Sequence, residues 1–227
     1  MTEPASWSAE WLATPRLAQR LDLLHHLVQF GRLPLVLTGP RGAGKTRLLN
    51  RLLEEPGGAW RAAVVDAHVE MTPAELLAAA RMGLDLPDSG DGGVEDELRE
   101  YVAQSERTGM VVLLVVDDAH LLPTPTLDGL LGLASSLPEG GLRVLLAGEP
   151  LLLERLAAVK ATALTHQLDL PPFTPEESVR FALHLSGPGT GPEDLPATLH
   201  ERSGGVPGQI EALLLDCRHD LIARQAG

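Results

Sequence analysis

The chain has 227 residues, 44% of them hydrophobic and 22% charged, with one cysteine and a formal charge of −13. That length and mix describe a folded chain with a core of its own, and a lone cysteine excludes an intramolecular disulfide or a multi-cysteine metal site. Aromatic residues make up only 3%, which argues against aromatic platforms, and the net charge repels nucleic acid and anionic membrane. The charge is uneven: residues 1–61 carry eight Lys/Arg against five Asp/Glu. The start MTEPASWSAEW is acidic and polar, unlike a secretory signal, and no apolar run approaches the ~18 residues of a membrane span. A reduced, cytoplasmic setting is expected.

Residues 1–13 are expected to be disordered, with Trp7 and Trp11 either a docking segment or a fraying end. Leu17, Leu21, Leu24 and Val28 then repeat at helical spacing, and Leu33 to Thr38 is a short apolar run. Leu48, Leu49, Leu52 and Leu53 share a helix face that stops before Pro56-Gly57-Gly58. Ala62 to Val65 reads as a buried strand. Thr72-Pro73-Ala74-Glu75 is a capping box that starts the next helix. A Gly/Asp/Pro loop over Asp85 to Gly93 precedes a charged helix from Val94 to Glu106. Met110 to Val116 is apolar without alternation, as in a parallel strand covered on both faces. Helix signals follow at Leu127 to Leu137 and Leu151 to Val159, with strands at Leu142 to Ala147 and His166 to Leu170. This alternation predicts an α/β class with a mainly parallel sheet.

After Pro171-Pro172 the pattern changes. Thr174-Pro175-Glu176-Glu177 is a second capping box, and three helical stretches follow: Glu176 to Leu185, Glu193 to Arg202, and Pro207 to Arg224. The last carries Ile210, Leu213, Leu214, Cys217 and Leu221 on one face. The expected organisation is an α/β core over 14–173 and a small helical appendage over 174–227.

The chemistry centres on Gly39-Pro40-Arg41-Gly42-Ala43-Gly44-Lys45-Thr46, a complete G-x-x-x-x-G-K-[ST] motif between a strand and a helix. Glycines let the backbone wrap closely, so that N–H groups and the helix N-terminus face phosphate oxygens. Lys45, one of only two lysines, would reach the β- and γ-phosphates of ATP, and the Thr46 hydroxyl would ligate Mg²⁺. Arg47 completes the binding segment. The apolar strand that ends in Asp117-Asp118 places acids at the sheet's C-terminal edge. Asp117 would hold Mg²⁺ through its water shell. Asp118 either polarises the attacking water or belongs to a solvated acidic turn. His120 either contacts these acids or begins a helix at the surface, the simpler reading. No histidine pattern suggests zinc, and Asp85, Asp88 and Asp91 miss the calcium-loop spacing.

Together with "LLVVDDAHLL", "LRVLLAGEPLLLERL", "LPPFTPEES" and "SGGVPGQIEALL", the phosphate loop resembles AAA+ ATPases of the ExeA/GspA secretion-assembly type. It is also similar to the ATPase-like region of DamX-type cell-division proteins. The resemblance spans about residues 14–224. It implies a five-stranded core of order 5-1-4-3-2, a helical lid with nucleotide between them, ATP hydrolysis, and a protein partner or self-assembly. The implied location is cytoplasmic, including the periphery of an inner-membrane assembly.

Three departures shape the functional expectation. The resembled group carries aspartate-glutamate where this chain has Asp117-Asp118. It places a γ-phosphate-sensing arginine after the GG-x-P turn, where Gly208-Gln209 stands here. It also carries an arginine for a neighbouring subunit ahead of the fifth strand, and "KATALTHQL" has none; Arg143, Arg155 and Lys160 are weak substitutes. Slow or partner-dependent hydrolysis follows. Competing readings are a non-hydrolysing ATP-binding scaffold, the signalling ATPase module of a transcription regulator, and a small-molecule kinase. No nucleic-acid recognition motif is present, and no acceptor-binding lid motif supports a kinase.

Overall fold

The apolar runs are too short for helices, and each of the first four is followed by a helix that carries the chain back for another parallel strand. The computed structural model describes residues 12, 14–54, 60–86, 93–137, 141–160, 164–187, 191, 193 and 195–225, with side chains through Cys217. The elements are α1 (Pro15–Phe30), β1 (Leu35–Thr38), α2 (Lys45–Glu54), β2 (Trp60–Asp66), α3 (Pro73–Gly83), α4 (Val94–Arg107) and β3 (Val111–Asp117). A 3-10 turn at Ala119–Leu121 leads to α5 (Thr124–Ser136), β4 (Leu142–Gly148), α6 (Leu151–Ala158) and β5 (His166–Asp169). The chain then continues through α7 (Pro175–Ser186), α8 (Leu199–Ser203) and α9 (Pro207–Gln225).

The sheet order is β2-β3-β4-β1-β5, and every pair is parallel. This is the order that the resemblance implies, in an α/β P-loop NTPase fold. The connection from β1 crosses to the far edge at β2, whereas β4 connects to β5 on the other side. Such a reversal of direction opens a crevice beyond the strands' C-terminal ends.

Central β4 is buried at every residue, and β3 at all but its first. The expectation of a buried strand at Ala62 to Val65 needs correction. β2 is an edge strand, where Ala63 and Val65 are buried but Val64 is 46% exposed. Only one face of an edge strand is fully covered here, so burial alternates with the pleat. Of the helix expected over Glu193 to Arg202, the α-helix among the described residues is α8, five residues long. Pro196 supplies no N–H and biases the residue before it away from helix. Trp7, Trp11, Gly57, Gly58, Asp88 and Asp91 lie outside the described residues, as does the Leu221 side chain.

The chain divides into two compact units. Arg20–Pro40 and Lys45–Leu170 form one; Met1–Gln19, Arg41–Gly44 and Pro171–Gly227 form the other. The first unit has an aliphatic core that includes Val36, Leu76, Leu98, Leu114, Leu127 and Leu146. Burying each such side chain is worth about 1.5–3 kcal/mol. The second unit packs Phe173, Phe181, Leu185, Leu199 and Ile210 together, with the two phenyl rings 5.4 Å apart and nearly edge-on. Both predicted capping boxes form. Thr72 and Glu75 exchange bonds at α3, and Thr174 and Glu177 do so at α7. Glu177 also meets Arg16 at 3.3 Å.

Candidate functional site

The site begins where β1 ends. Thr38 registers with Gly148 of β4 on one side and Asp169 of β5 on the other. The next residues turn through Gly42 (φ 81°) and Gly44 (φ 93°) before α2 starts at Lys45. That left-handed backbone strains any residue with a Cβ, which is why the turn needs glycine. In this segment Arg41, Thr46 and Arg47 are exposed, whereas Ala43 is buried.

Lys45 is 7% exposed, and its ammonium group donates to the carbonyls of Gly39 (3.0 Å) and Pro40 (3.1 Å). Desolvation lowers its pKa, against an opposing pull from Asp118, Asp117 and Glu149. One cation is therefore held among three carboxylates. Thr46 donates its hydroxyl hydrogen to Asp117 Oδ2 at 2.5 Å, which joins the start of α2 to the end of β3. Asp117 is 5% exposed, and its other oxygen accepts from the Asp118 N–H at 2.9 Å. Asp118 itself is left-handed (φ 50°, ψ 32°), and its side chain is 58% exposed.

Sequence reasoning thus named residues that the fold brings together: Lys45, Thr46, Asp117 and Asp118. Its surface reading of His120 is corrected. The His120 side chain is only 11% exposed, 3.9 Å from Asp118 and 3.7 Å from Glu149. The cause is Gly148: a Cβ there would stand 3.1 Å from the His120 nitrogen and 3.3 Å from its Cβ. A glycine at the end of β4 lets the 3-10 turn lie against that strand, and this was the available sequence signal.

Gln209, in the first turn of α9, is exposed. In the same unit, the Gly208 N–H donates to the Gly42 carbonyl at 3.0 Å, so the α9 N-terminus packs on the glycine turn. Arg143 is 6% exposed and donates from Nε to the Val28 carbonyl at 3.1 Å. Burial lowers its pKa, with Arg32 adding to the effect, and it offers no finger to a neighbouring molecule. Arg155 donates to the Leu122 carbonyl.

The donor set suits a hard cation. A hydroxyl and a carboxylate supply oxygen ligands, as Mg²⁺ requires, and Mg²⁺ characteristically takes its remaining ligands from water and phosphate. Among the described residues no cluster of three or more His, Cys, Asp or Glu could hold a metal by itself. The arrangement pairs a glycine turn and a buried cation, fit for phosphate, with oxygen ligands and a carboxylate that can orient water.

Fold and motif together define a P-loop NTPase architecture. The profile of the AAA domain family matches residues 28–156, more than half of the chain, and the chain belongs to that family. Cdc6p from Pyrobaculum aerophilum is similar in structure, with TM-score 0.70 and 16% identity over 96% of this chain and 65% of that one. The Aeropyrum pernix ORC2 protein, in its ADPNP–ADP complexes, gives TM-score 0.65 at 16% identity over 94% and 64%. A RuvB variant from Thermotoga maritima gives 0.58 at 15% over 94% and 64%. The chain therefore spans less than two thirds of each of these proteins. No curated protein matches it. No helix among the described residues is long and apolar enough to cross a membrane.

Proposed function

We propose that the chain binds ATP with Mg²⁺ on the segment Gly39 to Arg47 and hydrolyses it slowly, as an ATP-driven switch within a larger assembly. One observation carries this reading. Lys45, Thr46 and Asp117 stand together at adjoining element ends, with the Thr46 hydroxyl on the Asp117 carboxylate. Phosphate oxygens would replace the Gly39 and Pro40 carbonyls around the Lys45 ammonium. Thr46 and Asp117 would hold the Mg²⁺, which when bound would neutralise charge on the β- and γ-phosphates. Asp118 would orient the attacking water. The Aeropyrum ORC2 structures carry adenine nucleotides, and the family relation makes the same ligand class the natural one here.

Slow turnover follows from what surrounds the γ-phosphate position. An arginine aimed at that group is worth ~10³–10⁵ in rate, and Gln209 occupies the place where the resemblance expects one. A neighbouring subunit or partner would supply the missing charge. A role in bacterial envelope, secretion or cell-division assembly rests on the wording of the sequence motifs alone. Exposed Gln209 and buried Arg143 also favour a second reading, an ATP-binding scaffold without hydrolysis.

Titration calorimetry with ATP and Mg²⁺ tests the site. Lys45→Ala should lose most of the affinity, and equal affinity in the variant would reject the assignment. Steady-state turnover of the purified chain without partners tests the rate. Several turnovers per second, independent of protein concentration, would indicate a self-sufficient ATPase.

A further inference from the structure

We propose that His120 is a positioning residue for hydrolysis, joining Asp118 to Glu149 across the ends of β3 and β4; this rests on the ATPase reading above. Three observations converge. The imidazole, only 11% exposed, has Nδ1 3.9 Å from Asp118 Oδ1 and Nε2 3.7 Å from Glu149 Oε1, so its two nitrogens face two different carboxylates. His120 Nδ1 is buried and makes no hydrogen bond. The turn that carries it is held by backbone bonds from Leu121 to Asp118 (2.8 Å) and from Leu122 to Ala119 (3.2 Å).

These separations are longer than hydrogen bonds. Catalytic contacts are often long before substrate binds and tighten when it does. The neighbouring charges supply a reason for tightening here. Asp118, Asp117 and Glu149 all act on Lys45, so a phosphate drawn to Lys45 arrives beside carboxylates that repel it. An imidazole N–H donated to Asp118 would offset part of that repulsion and fix that carboxylate, with the ring seated beside Glu149. Of the other charged side chains on the packed elements, Arg155 of α6 is tied to the Leu122 carbonyl, Arg143 of β4 to the Val28 carbonyl, and Glu154 of α6 is exposed.

Asp118 needs such a hold. Its side chain is more than half exposed and is carried on a left-handed residue, so water would otherwise leave its carboxylate free to rotate. In the reaction, the water oxygen bonds to the γ-phosphorus as the bond to the β–γ bridging oxygen breaks. ADP leaves, and the water's protons pass to phosphate and solvent. His120 takes no proton in this scheme; it sets where Asp118 points. A group in this role acts on kcat with little effect on ATP binding.

The test uses the full chain, with ATP affinity from calorimetry and single-turnover hydrolysis of γ-labelled ATP by excess protein. His120→Ala should slow hydrolysis by about 10- to 100-fold, the range typical of groups that orient a reacting ligand from behind. Its ATP affinity should stay within about threefold of the parent. His120→Gln, which keeps a donor in a similar volume, should recover part of the rate. Gly148→Ala should slow hydrolysis with His120 intact, because its methyl would press on the His120 nitrogen. Parental rates in His120→Ala would overturn this inference alone. Parallel loss of rate, affinity and thermal midpoint in both His120 variants would also overturn it, in favour of a packing role. A parent chain that binds ATP and releases no phosphate would overturn the hydrolysis reading first, and this inference with it.

Discussion

Strands β2 and β3 run side by side in register, and both end on aspartate: Asp66 pairs with Asp117. Asp66 is exposed and is followed by Ala67, whereas Asp117 is 5% exposed, accepts from Thr46, and is followed by Asp118. The contrast continues along the ladder. Val64 is 46% exposed while its partner Val115 is fully buried. Position in the sheet makes the difference. β2 is the edge, and β3 borders β4, whose far neighbour β1 leads into the glycine turn. An acid at a strand end becomes part of a site only where the topology brings that end to the crevice.

Six substitutions can break or sharpen this comparison. The largest effect should come from the residue that follows Asp117. Asp118→Asn keeps shape but removes the charge proposed to orient water, so turnover should fall by ~10²–10⁴ while ATP affinity persists. Unchanged turnover would move that role to another group. Next come the paired aspartates. Asp117→Asn should weaken Mg²⁺-dependent ATP affinity by about 10- to 100-fold, as loss of a metal-orienting carboxylate does. Asp66→Asn should leave it unchanged in the same calorimetric titration, and similar losses in both would erase the distinction.

The paired valines give a stability counterpart. Val115→Ala should cost about 2 kcal/mol in urea unfolding, from lost burial and an unfilled cavity. Val64→Ala should stay within roughly 0.5 kcal/mol, as at most exposed positions. Equal costs would mean that β2 is covered in solution. The smallest effect concerns α3, the helix that follows β2. The Thr72 backbone N–H, then its hydroxyl, holds the Glu75 carboxyl below its ordinary pKa. Its stabilisation is therefore complete above the ordinary glutamate range and is lost as pH falls through the depressed value. Glu75→Gln should flatten the acid limb of the thermal midpoint against pH, and an unaltered limb would show that the box carries no pH dependence.

Much of the molecule was legible because its signals are local. The glycine turn, Lys45 and Thr46 are contiguous, and their backbone demands are met within eight residues. Both capping boxes form as read, since each needs only a hydroxyl and a carboxylate three residues apart. The unbroken apolar run of β3 announced a strand covered on both faces.

Tertiary structure decided what depends on neighbours distant in the chain. Ala62 to Val65 is as apolar as a central strand, and only the sheet order makes it an edge. His120 follows two acids in sequence, but its burial depends on a glycine 28 residues later that lets the turn settle against β4. Arg143 was a weak substitute by sequence, and the fold buries it against Val28. Periodicity and motifs report the forces along a single segment. Exposure, pairing and charge environment are set by which segments meet, and the sheet topology determines that.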